Sequence, residues 1–434
     1  MTTSIDDLPN SNCQSFSVVI PAYNEEDGIS AIVARVLAVR QALTDMGIGL
    51  LEVIVVDDGS RDATVDVVRR IAEQRAGDGA VRLIQHKHNR GYGAALKTGL
   101  SRANSDWIAF LDADGTYPPE HFPQLCRAAL GGADVVIGSR MAGEQSEMPL
   151  VRRVGNFAFA NLISLLGNTR VSDSASGMRV IRRTVLAQLY PLPDGLNFTP
   201  IMSLRAIHEG LNLVEVPIPY SERVGRSKLS VVRDGLTYVR SILWTALGYN
   251  PVRVLGMAGL AGVGLAALVG LGLVVARLRG VTTLGPWGVA AIFVALVAGV
   301  SGVSLFNLGA TFNYLVSLFR KQPVQMGLFG KPIFDPPLDR HFGWLGLTVG
   351  GVGGILGLTS LFLGLRGWEV NRLWLYLVGS AMLILVGLQL VISRALMKTL
   401  KELSEREIRA RTDLLGAKWP AAESRMNRRE GKEK

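Results

Sequence analysis

The second half of the chain holds four long runs dominated by Leu, Val, Gly and Ala, at residues 254–276, 288–310, 343–365 and 373–393. Each reaches the roughly 20 residues a helix needs to cross the hydrocarbon core of a bilayer. Their central portions carry no Asp, Glu, Lys or Arg. Four transmembrane helices follow, too variable among themselves to read as an inverted repeat. Residues 1 to about 225 instead mix charged and apolar segments, so the 434-residue chain divides into a soluble domain and a membrane domain.

Lys and Arg in short flanking loops set the orientation of such spans. Arg320, Lys321, Lys331 and Arg340 lie between the second and third runs, and Arg394, Lys398, Lys401, Arg406, Arg409 and Arg411 follow the fourth. The loops after the first and third runs are short, with Arg277 and Arg279 in one and Arg366 and Arg372 in the other. This pattern predicts a multi-pass protein of the cell membrane with the soluble domain and both termini in the cytoplasm. The net charge of +10 belongs to the same picture, because the basic residues cluster beside the spans, where anionic lipid attracts them. No zinc-finger, recognition-helix or aromatic RNA-binding signature accompanies them, so nucleic acid is not an expected partner. Cys13 and Cys126, the only cysteines, are too few for a disulfide framework or a structural zinc site and fit a reducing compartment. The Gly-rich spans suit close packing with one another or in a homo-oligomer.

In the soluble domain, short β-branched runs alternate with helical patterns. Phe16–Pro21, Glu52–Asp57, Val81–Gln85, Trp107–Asp112 and Asp134–Gly138 read as buried strands of a largely parallel sheet. Ile29, Ile32, Val33, Val36 and Leu37 recur at helical spacing between the first two. This is an α/β domain, and its ligands are expected beyond the carboxyl ends of the strands. Three polar or Gly-rich segments sit there: Tyr23-Asn24-Glu25-Glu26, Asp57-Asp58-Gly59-Ser60 and Asp112-Ala113-Asp114-Gly115. Asp and Gly are also ordinary turn residues. Acids converging on one sheet edge nevertheless cost stability unless a cation or ligand compensates them. Asp112 and Asp114, with hard oxygen ligands and no His or Cys between them, suit Mg²⁺ or Mn²⁺ and, through the ion, a diphosphate.

The ordered set Val19-Ile20-Pro21-Ala22-Tyr23-Asn24-Glu25, Val55-Val56-Asp57-Asp58-Gly59-Ser60, Asp112-Ala113-Asp114-Gly115, Gly138-Ser139-Arg140 and Val216-Pro217-Ile218 followed by Arg223 and Ser227-Lys228-Leu229 resembles the motifs of family 2 glycosyltransferases. Within that family it is similar to dolichyl-phosphate mannose synthases and bacterial polyprenyl-phosphate glycosyltransferases, over roughly residues 16–248. The resemblance implies a GT-A-like catalytic domain at 16–225, preceded by a polar tail at 1–15 that lacks a basic-then-apolar signal pattern. An amphipathic interfacial helix would occupy 226–250, the four-helix membrane domain 251–395 and a basic cytoplasmic tail 396–434. The last stretch, from Gly416, is polar and without periodicity, and is expected to be disordered. The helical face Leu229, Val232, Leu236, Val239 and Leu243, with Arg233 and Arg240 on another, suits the plane of the interface.

The same resemblance implies that Pro21, Tyr23 and Glu25 line the nucleotide pocket, that Val55 and Asp57 contact the base or ribose, and that Asp112, Ala113 and Asp114 hold the metal and diphosphate. Arg140, Arg223 and Lys228 would reach the donor phosphates or the acceptor; cations are needed there, since an acidic pocket alone would repel a diphosphate. Glu25 is also a favourable helix N-terminal acid. Asp173-Ser174-Ala175-Ser176-Gly177-Met178-Arg179 resembles the acceptor-side segment, with Met178 in place of the usual aromatic, so Ser176 and Arg179 join Arg140 and the pair Arg152 and Arg153 as candidates for the acceptor phosphate. Asn89-Arg90-Gly91-Tyr92-Gly93 reads as a loop and helix start bordering the donor site. It is not a dinucleotide-binding loop, because Leu96 replaces the third glycine. The scattered histidines carry no ligand pattern.

The expected reaction is inverting transfer of a hexose from a nucleotide sugar, of GDP-mannose or UDP-glucose type, to a dolichyl or undecaprenyl phosphate, with Asp112, Asp114 and Arg223 at its centre. A processive polysaccharide synthase would carry a Gln-x-x-Arg-Trp pentad, which does not occur. A transporter or flippase would show ionisable or broken-helix sites at mid-membrane. A nucleotidyltransferase on an anchor would have no use for the basic loop Ser221–Lys228 or the interfacial helix.

Overall fold

The computed structural model describes residues 14–75, 77, 80–141, 148–221, 231–281, 285–320, 328, 340–368 and 370–415. They form two compact units that meet in sequence between Ala246 and Leu247.

The first unit is built on a seven-stranded sheet: β1 (Gln14–Ala22), β2 (Ile48–Asp57), β3 (Val81–Gln85), β4 (Trp107–Phe110), β5 (Val135–Ser139), β6 (Arg179–Arg182) and β7 (Leu213–Pro217), in the order β3-β2-β1-β4-β6-β5-β7. Only β6 runs antiparallel, against both β4 and β5. The helices of this unit are α1 (Ile29–Ala38), α2 (Arg40–Thr44), α3 (Thr64–Gln74), α4 (Tyr92–Arg102), α5 (Phe122–Leu130), α6 (Leu150–Gly167), α7 (Leu186–Leu189), α8 (Phe198–His208) and α9 (Val231–Leu247). The mostly parallel α/β sheet expected from the sequence is present, and the five expected strands are found with their ends moved by up to four residues. β6 and β7 are additions: β6 is only four residues long and follows a run of Ser and Gly, so no alternating pattern announced it.

Why these runs become central strands is plain from their burial. Val18, Val19 and Ile20 of β1 and Val53 to Val56 of β2 are fully buried, which continuous β-branched runs allow and an alternating strand would not. Helix α1 closes one face through Ile29, Ile32, Val33 and Val36. Phe16 meets Phe122 edge-on at 5.5 Å between ring centres, and Phe110 meets Phe198 at 6.1 Å, tying helices to the sheet. Because β1 pairs β2 on one side and β4 on the other, the carboxyl ends of β1 and β4 diverge at a switch in strand order, and a crevice opens there.

The second unit comprises α10 (Pro251–Leu278), α11 (Pro286–Arg320), α12 (Phe342–Leu365) and α13 (Val370–Leu415). All four are long and apolar enough to cross a membrane. They pair closely because glycines let backbones approach: a Cβ on Gly259 would stand 2.5 Å from the Gly302 carbonyl oxygen, and one on Gly387 2.5 Å from the Gly350 nitrogen. Helices α10, α11 and α13 run several residues beyond the apolar runs read from sequence, and α12 begins one residue before its run. The helix assigned to 226–250 is described from Val231, since 222–230 lie outside the described residues. The segment expected to be tail from 396 continues α13 to Leu415, and 416–434 are likewise outside the description.

Candidate active site

Beyond the carboxyl ends of β1 and β4 lies a cavity of about 710 Å³. Pro21, Tyr23 and Glu25 reach it from the end of β1, Asp112, Ala113 and Asp114 from the end of β4, Arg140 from the end of β5 and Arg152 from α6. Eight of the residues predicted from sequence therefore line one cavity. A second cavity of about 550 Å³ adjoins it beyond β2 and β3, sharing Tyr23 and Asn89.

The acid pair is held from several sides. The Tyr92 hydroxyl, at the start of α4, donates to Asp112 Oδ1 at 2.7 Å. Gly177 packs against the same carboxylate so closely that a Cβ there would lie 2.6 Å from Oδ2 and 2.8 Å from Oδ1. Asp114 Oδ1 accepts from the Thr116 hydroxyl at 2.7 Å and from its backbone N–H at 3.2 Å. Burial, followed by the charge of Asp112 and the hydrogen bond to it, raises the Tyr92 phenol well above its ordinary value and keeps it a proton donor.

Past the end of β5, the bidentate pair Arg140–Asp173 is set by two side-chain bonds of 2.8 Å and by the Arg140 backbone N–H on Asp173 Oδ2 at 2.9 Å. The guanidinium lies 5.7 Å from the Tyr117 ring centre and 5.3 Å from that of Tyr220. Burial works against the charge on Arg140, but Asp173 outweighs it and raises the Arg140 value well above the ordinary one. For Asp173, burial pushes the carboxyl up and the Arg140 charge and hydrogen bonds pull it further down, so it ionises below its ordinary range.

Other predicted residues take supporting places. Val55 is fully buried within β2 and does not line the cavity. Asp57 is also buried and accepts from the Gly59 and Ser60 N–H groups at 3.2 Å, fixing the turn after β2. Gly59 has φ 75°, and a Cβ there would strike the His88–Asn89 backbone, so the turn requires glycine. Ser176 donates to the Gly138 carbonyl at 2.6 Å, and Arg179, fully buried, donates to the carbonyls of Ser174 and Ser176. Burial lowers Arg179 to about 10. Both brace the floor beneath Gly177 rather than line the cavity. Of the arginine pair, Arg152 lines the cavity and Arg153 is exposed outside it. Arg223 and Lys228 lie outside the described residues.

Several contributors had no individual role assigned from the sequence. Asp58 lines the cavity and accepts from the N–H groups of Arg90 and Gly91 at 2.9 and 2.8 Å, with His86 Nδ1 2.7 Å away, so it shapes the loop before α4. Tyr92, Tyr117, Tyr220 and Tyr238 depend on folding for their place. Only Tyr92, just after Gly91, sat in a segment already read as bordering the site.

A family profile described as Glycosyl transferase family 2 matches residues 17–190, and a domain of unknown function matches 251–411. The chain is 33% identical over 231 residues to a dolichyl-phosphate hexose transferase of Haloferax volcanii, covering 53% of this chain and 93% of that one. The chain belongs to glycosyltransferase family 2. This glycosyltransferase is also 31% identical over 322 residues to an undecaprenyl-phosphate 4-deoxy-4-formamido-L-arabinose transferase of Edwardsiella ictaluri, covering 74% of this chain and 89% of the relative. Among solved structures it is similar to a Mycobacterium tuberculosis glucosyl-3-phosphoglycerate synthase in complex with Mn²⁺, UDP and phosphoglyceric acid, at TM-score 0.40 and 22% identity over 54% of this chain and 78% of that one.

The donor set of the glycosyltransferase fits a hard divalent cation. Among the described residues, five carboxylates line the cavity (Glu25, Asp58, Asp112, Asp114 and Asp234) against the guanidinium groups of Arg140 and Arg152, an acidic balance that a divalent cation would offset. Among the described residues no cluster of three or more His, Cys, Asp or Glu forms a cage. An ion on Asp112 and Asp114 would complete its shell with diphosphate oxygens and water, as Mg²⁺ commonly does.

Proposed function

We propose that this glycosyltransferase moves a hexose from a nucleotide sugar to a polyprenyl phosphate at the cytoplasmic membrane face, inverting the anomeric carbon. The observation that carries this reading is that one cavity joins the Asp112/Asp114 edge to Arg140 and Arg152 and is bordered by α6 and α9, both of which expose apolar side chains. On α6 these are Leu150, Val151, Val154 and Phe157, 62–77% exposed, and on α9 Leu236 and Trp244 at 68% and 66%. Exposed apolar faces beside an anion-binding cavity suit an acceptor with a phosphate head and a hydrocarbon tail. The relatives' names, which specify dolichyl and undecaprenyl phosphates, support the same acceptor class.

The nucleotide would occupy the end of β1 with Pro21, Tyr23 and Glu25, and the diphosphate the acid pair. A bound Mg²⁺ or Mn²⁺, held by Asp112 and Asp114, would stabilise the departing nucleoside diphosphate. Arg140, kept charged by Asp173, and Arg152 would draw the acceptor phosphate in and screen its repulsion from the donor. A phosphate monoester has its second ionisation near ~6, so its oxygen is already nucleophilic at neutral pH and no strong general base is required. One phosphate oxygen forms the bond to the anomeric carbon as the bond to the diphosphate breaks, and direct displacement accounts for inversion. Both termini and the catalytic unit would face the cytoplasm, as the flanking Arg and Lys distribution supports.

Incubating the purified full chain with GDP-mannose or UDP-glucose, polyprenyl phosphate and Mg²⁺ or Mn²⁺ should yield a glycolipid by mass spectrometry. Absence of product with every donor would overturn the reading. Asp114→Asn should abolish turnover while leaving thermal unfolding unchanged; full activity in that variant would overturn the metal assignment.

A further inference from the structure

The buried face of α6 is formed by Asn156, Ala160, Ile163 and Leu166, a helical stripe whose other members are apolar. Asn156 is 5% exposed and lines the 710 Å³ cavity. Both ends of its amide, Nδ2 and Oδ1, lack hydrogen-bond partners among the described residues. A core position would be better filled by an apolar side chain, since a buried amide with neither end paired destabilises the fold. The chain instead carries an amide where the stripe meets the cavity, with Arg152 one turn before it and the Phe159–Tyr238 ring contact, 5.3 Å between centres, just beyond.

We infer that Asn156 is a specificity-determining residue that hydrogen-bonds a hydroxyl of the donor hexose. This rests on the nucleotide-sugar reading of the cavity and deepens it. The amide offers one donating and one accepting end, and a sugar hydroxyl both accepts and donates. A phosphate dianion supplies acceptors alone and would leave Oδ1 unpaired, while Arg152 on the same helix already serves that charge. In the proposed reading the base lies with Pro21, Tyr23 and Glu25 at the end of β1, and the metal with Asp112 and Asp114 at the end of β4. Asn156 therefore selects which sugar is bound rather than whether a nucleotide is bound.

The test is titration calorimetry on the full chain in detergent with Mn²⁺ and no lipid acceptor. The probes are GDP-mannose, UDP-glucose, their monodeoxyhexose counterparts, and free GDP and UDP. Asn156→Leu, close in shape and able to extend the apolar stripe, should bind the preferred nucleotide sugar about tenfold more weakly, the worth of one neutral hydrogen bond. Its affinity for the free nucleoside diphosphate should stay within twofold. The loss should vanish for one monodeoxy analogue, the one missing the recognised hydroxyl, and persist for the others. Asn156→Ala, read in parallel, should repeat the pattern and guards against a folding defect of the first variant. Unchanged affinity, a loss equal across all deoxy analogues, an equal loss on the free diphosphate, or an effect confined to the KM for polyprenyl phosphate would each overturn the inference. Glycolipid formation, followed alongside, separates the two readings. Sugar-dependent weakening in a protein that makes no glycolipid overturns transfer to lipid and leaves the role of Asn156 standing. Unchanged binding in a protein that does make glycolipid overturns the role of Asn156 alone. Failure to bind any of the nucleotide sugars overturns both.

Discussion

Gly177→Ala tests whether the position of the Asp112 carboxylate matters as the geometry demands. The new methyl carbon would lie 2.6 Å from Oδ2 and 2.8 Å from Oδ1, whereas ordinary contact begins near 3.4 Å. The carboxylate must retreat by about 0.8 Å, the difference between 3.4 and 2.6 Å, or the 176–178 backbone must give way by as much. Retreat would also strain the 2.7 Å bond from Tyr92. Displacing a reacting constellation by about 1 Å costs on the order of 100-fold in rate. Overpacking one methyl costs about 1–3 kcal/mol of stability, which a domain of this size survives. Glycolipid formation measured against Mn²⁺ concentration should thus show kcat/KM down about 100-fold, a higher Mn²⁺ concentration for half-maximal rate, and a cooperative unfolding transition still present. Parent-like kcat/KM with an unchanged Mn²⁺ requirement would refute the argument that Gly177 is kept small for Asp112.

Tyr92→Phe removes one hydrogen bond to a charged group, worth about 1.5–3 kcal/mol, and should weaken Mn²⁺-dependent nucleoside diphosphate binding about 10- to 100-fold, read by calorimetry with and without the ion. Asp173→Asn leaves the buried Arg140 charge without its counter-ion and should destabilise the first unit by about 3–5 kcal/mol in denaturant unfolding; a change under about 0.5 kcal/mol would be ordinary for a surface site and would contradict the burial argument. The pH dependence has a definite sign. Asp173 ionises below its ordinary value of 3.8, so its contribution is fully present above that pH and is lost as pH falls through the depressed folded value. Acid unfolding of the parent should therefore steepen there, and Asp173→Asn should flatten that limb.

Much of the candidate site was legible because each of these members follows a strong local signal. Asp112 and Asp114 end a buried apolar strand, and Pro21, Tyr23 and Glu25 end another, so a parallel sheet alone brings them to one edge. Arg152 and Arg153 show where such reading stops. They are adjacent in sequence and alike in chemistry, and only the rotation of α6 against the rest of the unit turns one into the cavity and the other to solvent. Ser176 and Arg179 resembled acceptor contacts because their segment does approach the site, yet Ser176 bonds the Gly138 carbonyl and Arg179, at the start of β6, bonds the carbonyls of Ser174 and Ser176. Val55 shares the fate of every residue inside a two-sided strand.

Four membrane-length helices, an α/β domain and an acid pair at its edge are legible in the chain before folding, because hydropathy and strand endings are properties of short contiguous segments. Which of two arginines enters the cavity, the clamping of Asp112 by a phenol and a glycine, and the lack of a partner for the Asn156 amide among the described residues come only from the folded arrangement. Those facts depend on how distant segments cross, and no short window of the chain contains both partners of a contact made across it.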